Sequence, residues 1–408
     1  MARDPATTLP RDVYITGVAR GMSTLGTVVV VTALLLDLHN QHAGSWIVAG
    51  VLFAGTLPIV LLAPVIGRLT DRYDGRGLII ITGLWQAATC VLITLVSHPA
   101  AILSLVALNA FGAAVAQPVF GTLIRAMVTD DRLAAANSVQ QSGHILAQLG
   151  GAPVSALLTG LTGSARIPLL LAAAGFLAIS GAGLLIRTRR RPHHGGVRIR
   201  LRDGMTVLLA DRTVAAAVIL TILLVLVVHV LYVAQVYLVR DTLGASEFVF
   251  GLLQAAHFVG LLVGTAIASR LTTMRGILIG IPVAAATMSF GILLIGTTRS
   301  LPATFPLYIM IGIGGSIGAV AVGTLLLLRT PDTAVGRALA GFTALHRNAG
   351  LIAYCIAGLA LGGFPAELVY LLAGIAAIIA VLAATPVLHR ATMAFNRPVT
   401  QERFVNGT

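Results

Sequence analysis

The chain has 408 residues, of which 57% are hydrophobic and only 10% are charged. Soluble globular proteins carry about 25% charged residues, so this composition excludes that class and indicates an integral membrane protein. All 27 basic residues are arginine, and the sequence contains no lysine. A phosphate-loop ATPase site and a Schiff base both need lysine, so we expect neither and expect any transport to draw on an ion or substrate gradient.

Twelve hydrophobic segments follow one another along the sequence. Each is about 20 residues or longer, which as an α-helix crosses a hydrocarbon core about 30 Å thick. The pattern therefore predicts an all-α integral membrane protein with twelve transmembrane helices. The segments lie at residues 13–36, 46–66, 77–97, 100–127, 137–162, 166–187, 213–239, 247–270, 276–297, 302–328, 338–363 and 366–388.

The arginines are distributed unevenly between the two sides of the predicted membrane. With the N-terminus inside, 22 of the 27 arginines are cytoplasmic, and only Arg166, Arg240 and Arg299 lie outside. Arg20 and Arg347 fall within hydrophobic segments. Because cytoplasmic loops carry an excess of basic residues, this asymmetry predicts that both termini are cytoplasmic. We expect a multi-pass, monomeric protein of a bacterial plasma (inner) membrane, with no nucleic-acid partner.

The stretch between the second and third segments, residues 67–76, is a dense run of charge and glycine. We expect a tight turn here at the cytoplasmic membrane face, because glycine permits a sharp bend of the backbone. The stretch resembles the signature loop of the major facilitator superfamily, which reads roughly G-x-L-x-D-R-x-G-R-R. Its D-R-Y-D form resembles the branch that includes macrolide-efflux and enterobactin-export proteins. The matching positions are Gly67, Leu69, Asp71, Arg72 and Arg76, whereas Asp74 and Gly75 depart from the pattern.

This resemblance implies a fold and a mechanism. The fold is two pseudo-symmetric six-helix bundles with a substrate site between them near the midplane, and the mechanism is alternating access. The resemblance also implies a gate in which Asp71 accepts hydrogen bonds at the cytoplasmic start of the eleventh segment, where Arg337 adds positive charge. That contact would hold the cytoplasmic side closed while the outer side is open.

The two halves of the chain repeat one another with an offset of 202 residues, which aligns Arg68 with Arg270 and Gly112 with Gly314. We expect an N-terminal bundle at residues 1–187, a cytoplasmic basic linker at 188–212, a C-terminal bundle at 213–389 and a cytoplasmic tail at 390–408. Within the linker, a flexible basic run at 189–196 precedes a stretch at 201–209 that we expect to form a short amphipathic helix on the membrane surface.

The fifth segment carries a stripe of polar residues. Asn137, Gln141, His144 and Gln148 follow one another at spacings of four, three and four, which places them on one side of a helix. Because an amide facing hydrocarbon is costly, the stripe is expected to face protein or a watery cavity. Hydrogen bonding between helices is the alternative to lining a substrate pathway.

Small residues crowd around a proline farther along the same segment. Gly150, Gly151 and Pro153 belong to a run that resembles the antiporter signature G-P-x-x-G-G, although its glycine spacing differs. Small residues let helices approach closely, and proline loosens the helix backbone. The resemblance favours export over uptake.

Two arginines are predicted to lie inside the bilayer. Arg20 is about 10 Å into the first segment and Arg347 about 15 Å into the eleventh, at 1.5 Å per residue. Arg347 forms a second polar stripe with Thr343 and Tyr354. No acidic residue is expected at a comparable depth, so Arg347 is held either by backbone carbonyls and amide side chains or by a substrate.

No aspartate or glutamate is expected near the membrane midplane, where a carboxylate could bind the coupling ion. The titratable alternatives are His144, His229, His257 and His346, since histidine has an ordinary pKa of about 6.5 and can exchange protons near neutral pH. A lone histidine on a transmembrane helix is, however, more often a hydrogen-bonding group than a coupling site. Asn109 and Gln117 complete the candidate pathway. The two cysteines, both in hydrophobic segments, indicate neither a disulfide nor a metal site, and no cofactor is expected.

We therefore expect a gradient-driven exporter, operating by proton antiport, of small amphipathic molecules such as drugs, macrolides, siderophores or secondary metabolites. The expected partners are a small-molecule substrate, membrane lipid and a coupling proton. An uptake symporter of the same fold is the first alternative. An intramembrane lipid-modifying enzyme is the second, although the sequence has no H-E-x-x-H motif and no further acid follows Asp130 and Asp131.

Overall fold

The structure, a computed structural model, describes residues 9–129, 132–186, 188 and 201–395. These residues form fourteen α-helices and one π-helical turn, with no β-strand among them. In chain order the helices are α1 Arg11–Asn40, α2 Ser45–Leu61, α3 Ala63–Arg72, α4 Gly75–Thr94, α5 Pro99–Met127, α6 Leu133–Thr162, α7 Arg166–Leu185, α8 Leu201–Ala210, α9 Arg212–Tyr237, α10 Glu247–Ala268, α11 Met274–Thr297, α12 Leu301–Arg329, α13 Val335–Gly363 and α14 Ala366–Phe395, and the π turn Leu238–Thr242 directly follows α9.

The membrane-spanning helices coincide with the predicted segments. In the described part of the chain, eleven helices are long and apolar enough to cross a membrane, and the bent pair α2 and α3 would make a twelfth span. The prediction of an all-α membrane protein with twelve spans is therefore confirmed. We call the end of the spans expected in the cytoplasm the inner end and the opposite end the outer end.

The second span is broken, which the hydrophobic pattern did not predict. The axes of α2 and α3 differ by 60°. Pro58 lies inside α2 and Pro64 lies in the first turn of α3, so prolines flank the break on both sides. Proline cannot donate the backbone hydrogen bond of a helix and its ring crowds the preceding turn, which accounts for the break.

The stretch at residues 67–76 is mostly helical, so the expected tight turn over its length is wrong. α3 continues to Arg72, and only Tyr73 and Asp74 separate it from α4. The hydroxyl of Thr70 bonds back to the carbonyl of Gly67 at 2.9 Å, as in a regular helical turn. Gly67, Leu69, Asp71 and Arg72 therefore lie on α3, whereas Arg76 lies in the first turn of α4.

The short helix expected in the linker is present as α8. It packs against the start of α13, and glycine allows the contact: a Cβ atom on Gly204 would lie 2.5 Å from the carbonyl oxygen of Arg337 and 2.9 Å from the Cα atom of Gly341. The basic run at 189–196, the pair Asp130 and Asp131, and the tail from residue 396 onward lie outside the described residues.

The helices form two groups that repeat one another. α1 packs against α6 and α7, and α4 packs against α5 and α7; in the second group α9 packs in the same way against α13 and α14, and α11 against α12 and α14. α5 and α12 correspond at both ends with an offset of 202 residues. We call α1–α7 the N-terminal half and α9–α14 the C-terminal half. The space between them is where residues of both halves can meet one molecule.

Candidate functional site

The two halves meet near the outer end along two helix pairs, α2 with α13 and α6 with α10. Glycine makes both crossings close. A Cβ atom on Gly251 would lie 2.6 Å from Cα of Pro153, and one on Gly358 would lie 2.8 Å from Cε3 of Trp46. The hydroxyl of Ser45 donates a hydrogen bond of 2.9 Å to the carbonyl of Gly358. We call these five residues the outer seam.

Polar side chains also join the halves at their outer ends. His39 Nε2 and Asp241 Oδ1 are 3.0 Å apart, and Asn40 donates a hydrogen bond of 3.2 Å to Glu247. Glu247 also pairs with Arg240 at 2.7 Å. Arg240 and Asp241 both belong to the π turn. Because π turns are rare and concentrate at functional sites, this turn is a candidate moving part of the outer closure.

The signature stretch stands at the opposite, inner end of the interface. Its helix α3 packs against α5, within the N-terminal half. Arg76 donates a hydrogen bond of 3.0 Å to the carbonyl of Leu184, also in that half. Within the described residues Asp71 and Arg337 form no ion pair with each other. The expected gate contact is therefore absent from this conformation and stays a prediction for a state with a closed inner end.

The polar stripe of the fifth segment lies on α6 below the outer seam. Asn137 and Gln141 are exposed, and His144 and Gln148 are partly exposed. At about 100° per residue, the stripe is roughly opposite the exposed leucines of the same helix. Those leucines, which mark the side of α6 suited to lipid, are Leu146, Leu157 and Leu161. The stripe therefore occupies a position from which it can border the space between the halves.

Arg20 projects from α1 onto α6, where it meets a residue that we did not predict. Its Nη1 donates a hydrogen bond of 2.9 Å to Oε1 of Gln140, and the amide of Gln140 donates one of 3.2 Å to the carbonyl of Phe120. One turn along α6, His144 Nδ1 lies 2.9 Å from the hydroxyl of Thr24. Gln140 is fully buried, so the bond to Phe120 fixes which of its amide atoms faces the arginine.

Arg347 lies two residues from the midpoint of α13 and is exposed. Two turns along the same face, the hydroxyl of the buried Tyr354 lies against Thr56 of α2. Thr343, on that face too, is exposed, and its hydroxyl bonds back to its own helix. Arg347 therefore lies on the face of α13 that meets α2 of the N-terminal half, toward the inner end from the contact at Thr56. It makes no ion pair or side-chain hydrogen bond with a described residue.

A cavity of about 290 Å³ lies inside the C-terminal half and gathers three histidines that are far apart in sequence. The rings of His229 and His346 are 5.8 Å apart between centroids, and His257 is buried. His229 Nδ1 lies 2.8 Å from the carbonyl of Val225, which requires the proton on Nδ1 and leaves Nε2 as an acceptor. The rest of the lining is mostly apolar and includes Leu224, Val228, Tyr232, Leu261, Met288, Ile311 and Phe342.

Asn109 and Gln117, the two remaining predicted pathway residues, lie in different environments. Asn109 is buried inside the N-terminal half, where its amide donates hydrogen bonds of 2.8 Å to the hydroxyl of Thr89 and 3.1 Å to the carbonyl of Gln86. The structure therefore does not bring Asn109 to the space between the halves. Gln117 is exposed on α5.

The small-residue segment of α6 is located at two helix crossings. A Cβ atom on Gly151 would lie 2.9 Å from Val28 of α1, and Pro153 is part of the outer seam. Gly150 has open space beside it, with no atom within 4 Å of the position a Cβ would take. Among the described residues no group of three or more histidine, cysteine or acidic side chains could hold a metal ion.

The sequence matches the family model described as the Major Facilitator Superfamily over residues 13–237. No curated protein matches the sequence.

Several solved structures have a similar fold. A bacterial homologue of the human lysosomal transporter Spinster, in an inward-facing and unoccupied conformation, has a TM-score of 0.71 at 13% identity and covers 96% of this chain and 100% of its own. A POT family transporter in complex with a thioalcohol-conjugated peptide has a TM-score of 0.74 at 13% identity, with 94% and 97% covered. The nucleoside transporter NupG has a TM-score of 0.70 at 13% identity, with 94% and 100% covered.

Proposed function

Because the chain belongs to the major facilitator superfamily, we propose that it is a gradient-driven exporter that carries small amphipathic molecules across the membrane by alternating access. The superfamily consists of transporters, so the chain is a transporter and not the lipid-modifying enzyme considered as an alternative. Drugs, macrolides, siderophores and secondary metabolites are the substrate classes that we propose. We place the protein in a bacterial plasma membrane with the inner end in the cytoplasm.

The observation that carries this proposal is the asymmetry of the interface between the halves. At the outer seam Gly251 and Gly358 let the two halves pack closely, whereas toward the inner end Asn137 and Gln141 of the stripe and Arg347 on α13 are exposed. An interface that is closed at one end and open at the other is the arrangement that alternating access requires of its inward-facing state.

Export is favoured by two features of the sequence. The signature stretch has the D-R-Y-D form of the exporter branch, and the small-residue segment that resembles the antiporter signature includes Pro153 of the outer seam. A proline at a crossing that must open supports a role in the conformational change, because it weakens the helix backbone there. An uptake symporter of the same fold remains the alternative.

Protons are the coupling ion that we propose. His144 on the stripe and His229, His257 and His346 in the C-terminal cavity are the groups that could carry them, because histidine exchanges protons near neutral pH.

Inverted membrane vesicles test the direction and the coupling together. We expect vesicles that contain the protein to take up an amphipathic dye or a macrolide when a proton gradient, acidic inside, is imposed. Vesicles without the protein and vesicles treated with a protonophore are the controls. Uptake that occurs only in right-side-out vesicles would contradict export and favour the symporter.

A further inference from the structure

The charges deepest in the spans are both positive. Arg20 and Arg347 lie at least nine residues from either end of their helices, and no other charged residue in the described part of the chain does so. Asp37, Asp241 and Glu247 are all near outer helix ends. In the part of the chain that the structure describes, the middle of the spans therefore carries positive charge without carboxylates to balance it.

Within the described residues, no acidic side chain neutralises either arginine. The polar partner that the structure gives Arg20 is the neutral amide of Gln140, and its Nε atom is buried without a hydrogen-bond partner in the described residues. Arg347 is exposed on the face of α13 that is turned toward the N-terminal half, and it pairs with no described side chain. An uncompensated charge at this depth is costly, and the cost falls when water or an anion reaches it.

An apolar space lies near the deeper of the two arginines, although Arg347 itself is not part of its lining. His346, the neighbour of Arg347 in sequence, lines the cavity of about 290 Å³ in the C-terminal half. Most of that lining is aliphatic or aromatic, and its three histidines can add positive charge but no negative charge. A cavity of this size and polarity can receive the hydrophobic body of a small ligand.

We propose that the space between the halves is a binding site for small amphipathic organic anions, such as aromatic sulfonates or carboxylates. Arg347 binds the anionic head, Arg20 on the opposite half attracts it, and the cavity of the C-terminal half takes the apolar body. This inference rests on the proposed function as an exporter and names its substrate class.

A charged substrate also changes the driving force. A membrane potential of 100 mV, negative inside, acts on one charge with about 2.3 kcal/mol, which corresponds to a concentration ratio of about 45 at equilibrium. This potential drives an anion out of the cell and retains a cation inside it. A proton that enters in exchange for the anion moves charge in the same electrical direction, so the potential drives export of an anion with or without that proton.

The test uses two bicyclic probes of similar shape and opposite charge, 2-naphthalenesulfonate and N-methylquinolinium. Purified protein is reconstituted into liposomes loaded with either probe, and a potassium gradient with valinomycin makes the lumen 100 mV negative. We expect efflux of the sulfonate to accelerate and efflux of the quinolinium not to. Arg347→Gln is expected to abolish the acceleration, whereas Arg299→Gln, at an exposed outer loop, retains it.

A binding readout separates this inference from the proposed function. In detergent, the sulfonate is expected to raise the melting temperature of the wild type and of Arg299→Gln but not of Arg347→Gln, since a ligand stabilises the state that binds it. Arg347→Lys keeps the charge and is expected to retain part of the rise. The proposed anion site is wrong if the quinolinium binds and is transported as well as the sulfonate, or if Arg347→Gln responds like the wild type. Neither result would contradict the proposed function as an exporter. If neither probe binds or moves, the anion site is also wrong, and macrolide or dye uptake into inverted vesicles then decides the proposed function separately.

Discussion

The outer seam and the signature stretch lie at opposite ends of one interface and are built from different chemistry. At the outer seam, glycine allows the backbones of the halves to touch, as at Gly251 and Pro153. At the inner end, the signature stretch carries charges, and Asp71 is partly exposed without an ion pair to Arg337. One end is therefore closed by shape, and we propose that the other end closes by charge.

This difference explains how both states of a transporter can be stable. Charged groups such as Asp71 and Arg337 are well hydrated when they separate, so opening the inner end costs little free energy. When they do meet, a solvent-exposed ion pair stabilises the closed inner end by only about 0–1 kcal/mol. The close packing at the glycines of the outer seam has no charged groups that water could stabilise after separation, and it depends on the shapes of the two surfaces fitting closely. Breaking the fit at the outer seam should therefore shift the balance between the states more than changing any one charge.

The largest contrast is expected in solvent access to the two ends. In a variant without Cys90 and Cys355, a single cysteine replaces one stripe residue, and inside-out vesicles are treated with a water-soluble maleimide. We expect rapid labelling at the stripe and none at Leu146→Cys, on the exposed leucine side of α6, or at Ser45→Cys in the closed outer seam. The stripe variants are Asn137→Cys, Gln141→Cys, His144→Cys and Gln148→Cys.

Equal labelling of Leu146→Cys and the stripe would mean that the stripe does not border the pathway. Labelling of Ser45→Cys from the inner side would mean that the outer seam is not a barrier. Either result removes the contrast between the two ends.

A wedge in the outer seam is expected to have the next largest effect. In Gly251→Val the new side chain meets the backbone at Pro153, where even a Cβ atom would be 2.6 Å away. Overpacking of this kind costs about 1–3 kcal/mol, or a shift of about 5- to 150-fold toward the state with an open outer end. The rate at which Ser45→Cys reacts with an impermeant maleimide added from the outside measures that shift.

Gly150→Val is the matched control for the wedge. It lies on α6 in the same crossing region but has open space beside it, so we expect no change in the reactivity of Ser45→Cys. A melting temperature for each variant separates a conformational shift from misfolding. Unchanged reactivity in a folded Gly251→Val variant would show that shape does not keep the outer end closed.

Asp71→Asn tests the charged end. The variant should insert normally but transport more slowly, because a hydrogen bond to an ionised acceptor is roughly twice as strong as a neutral one, a difference of about 1 kcal/mol or about 5-fold. Transport of dye into inverted vesicles is the measurement. Asp332→Asn, an exposed acid at the same inner end, is the control and should transport like the wild type. Full activity of Asp71→Asn would remove Asp71 from the gate.

The twelve spans could be predicted from the sequence because each apolar run is long enough to cross a bilayer by itself. The break between α2 and α3 could not, since prolines such as Pro58 and Pro64 are tolerated in many membrane helices that stay continuous. Only the packing of neighbouring helices decides whether such a helix bends, kinks or separates into two.

The candidate site was predicted in part, and the missing part depends on contacts between distant residues. The stripe on α6 follows from spacing alone, whereas Gln140 lies beside it and acquires its role from Arg20, 120 residues earlier. Arg240 could be placed outside by the arginine count, but its π turn and its pairing with Glu247 need the folded end of α9. Spacing therefore predicts which residues share a helix face, and tertiary contacts decide what that face meets.

The smallest effect is expected from the ionic contact at the outer end. His39 is 9% exposed, but Asp241 is 59% exposed, so their interaction across the halves is largely screened by water. A double-mutant cycle with His39→Ala, Asp241→Ala and the double variant isolates it, with the reactivity of Ser45→Cys from the outside as the readout. We expect a coupling of about 0.2–1 kcal/mol, at most about a 5-fold change in reactivity and smaller than for Gly251→Val. A coupling of several kcal/mol would mean that charge closes both ends of the interface, and the distinction between a shaped end and a charged end would have to be abandoned.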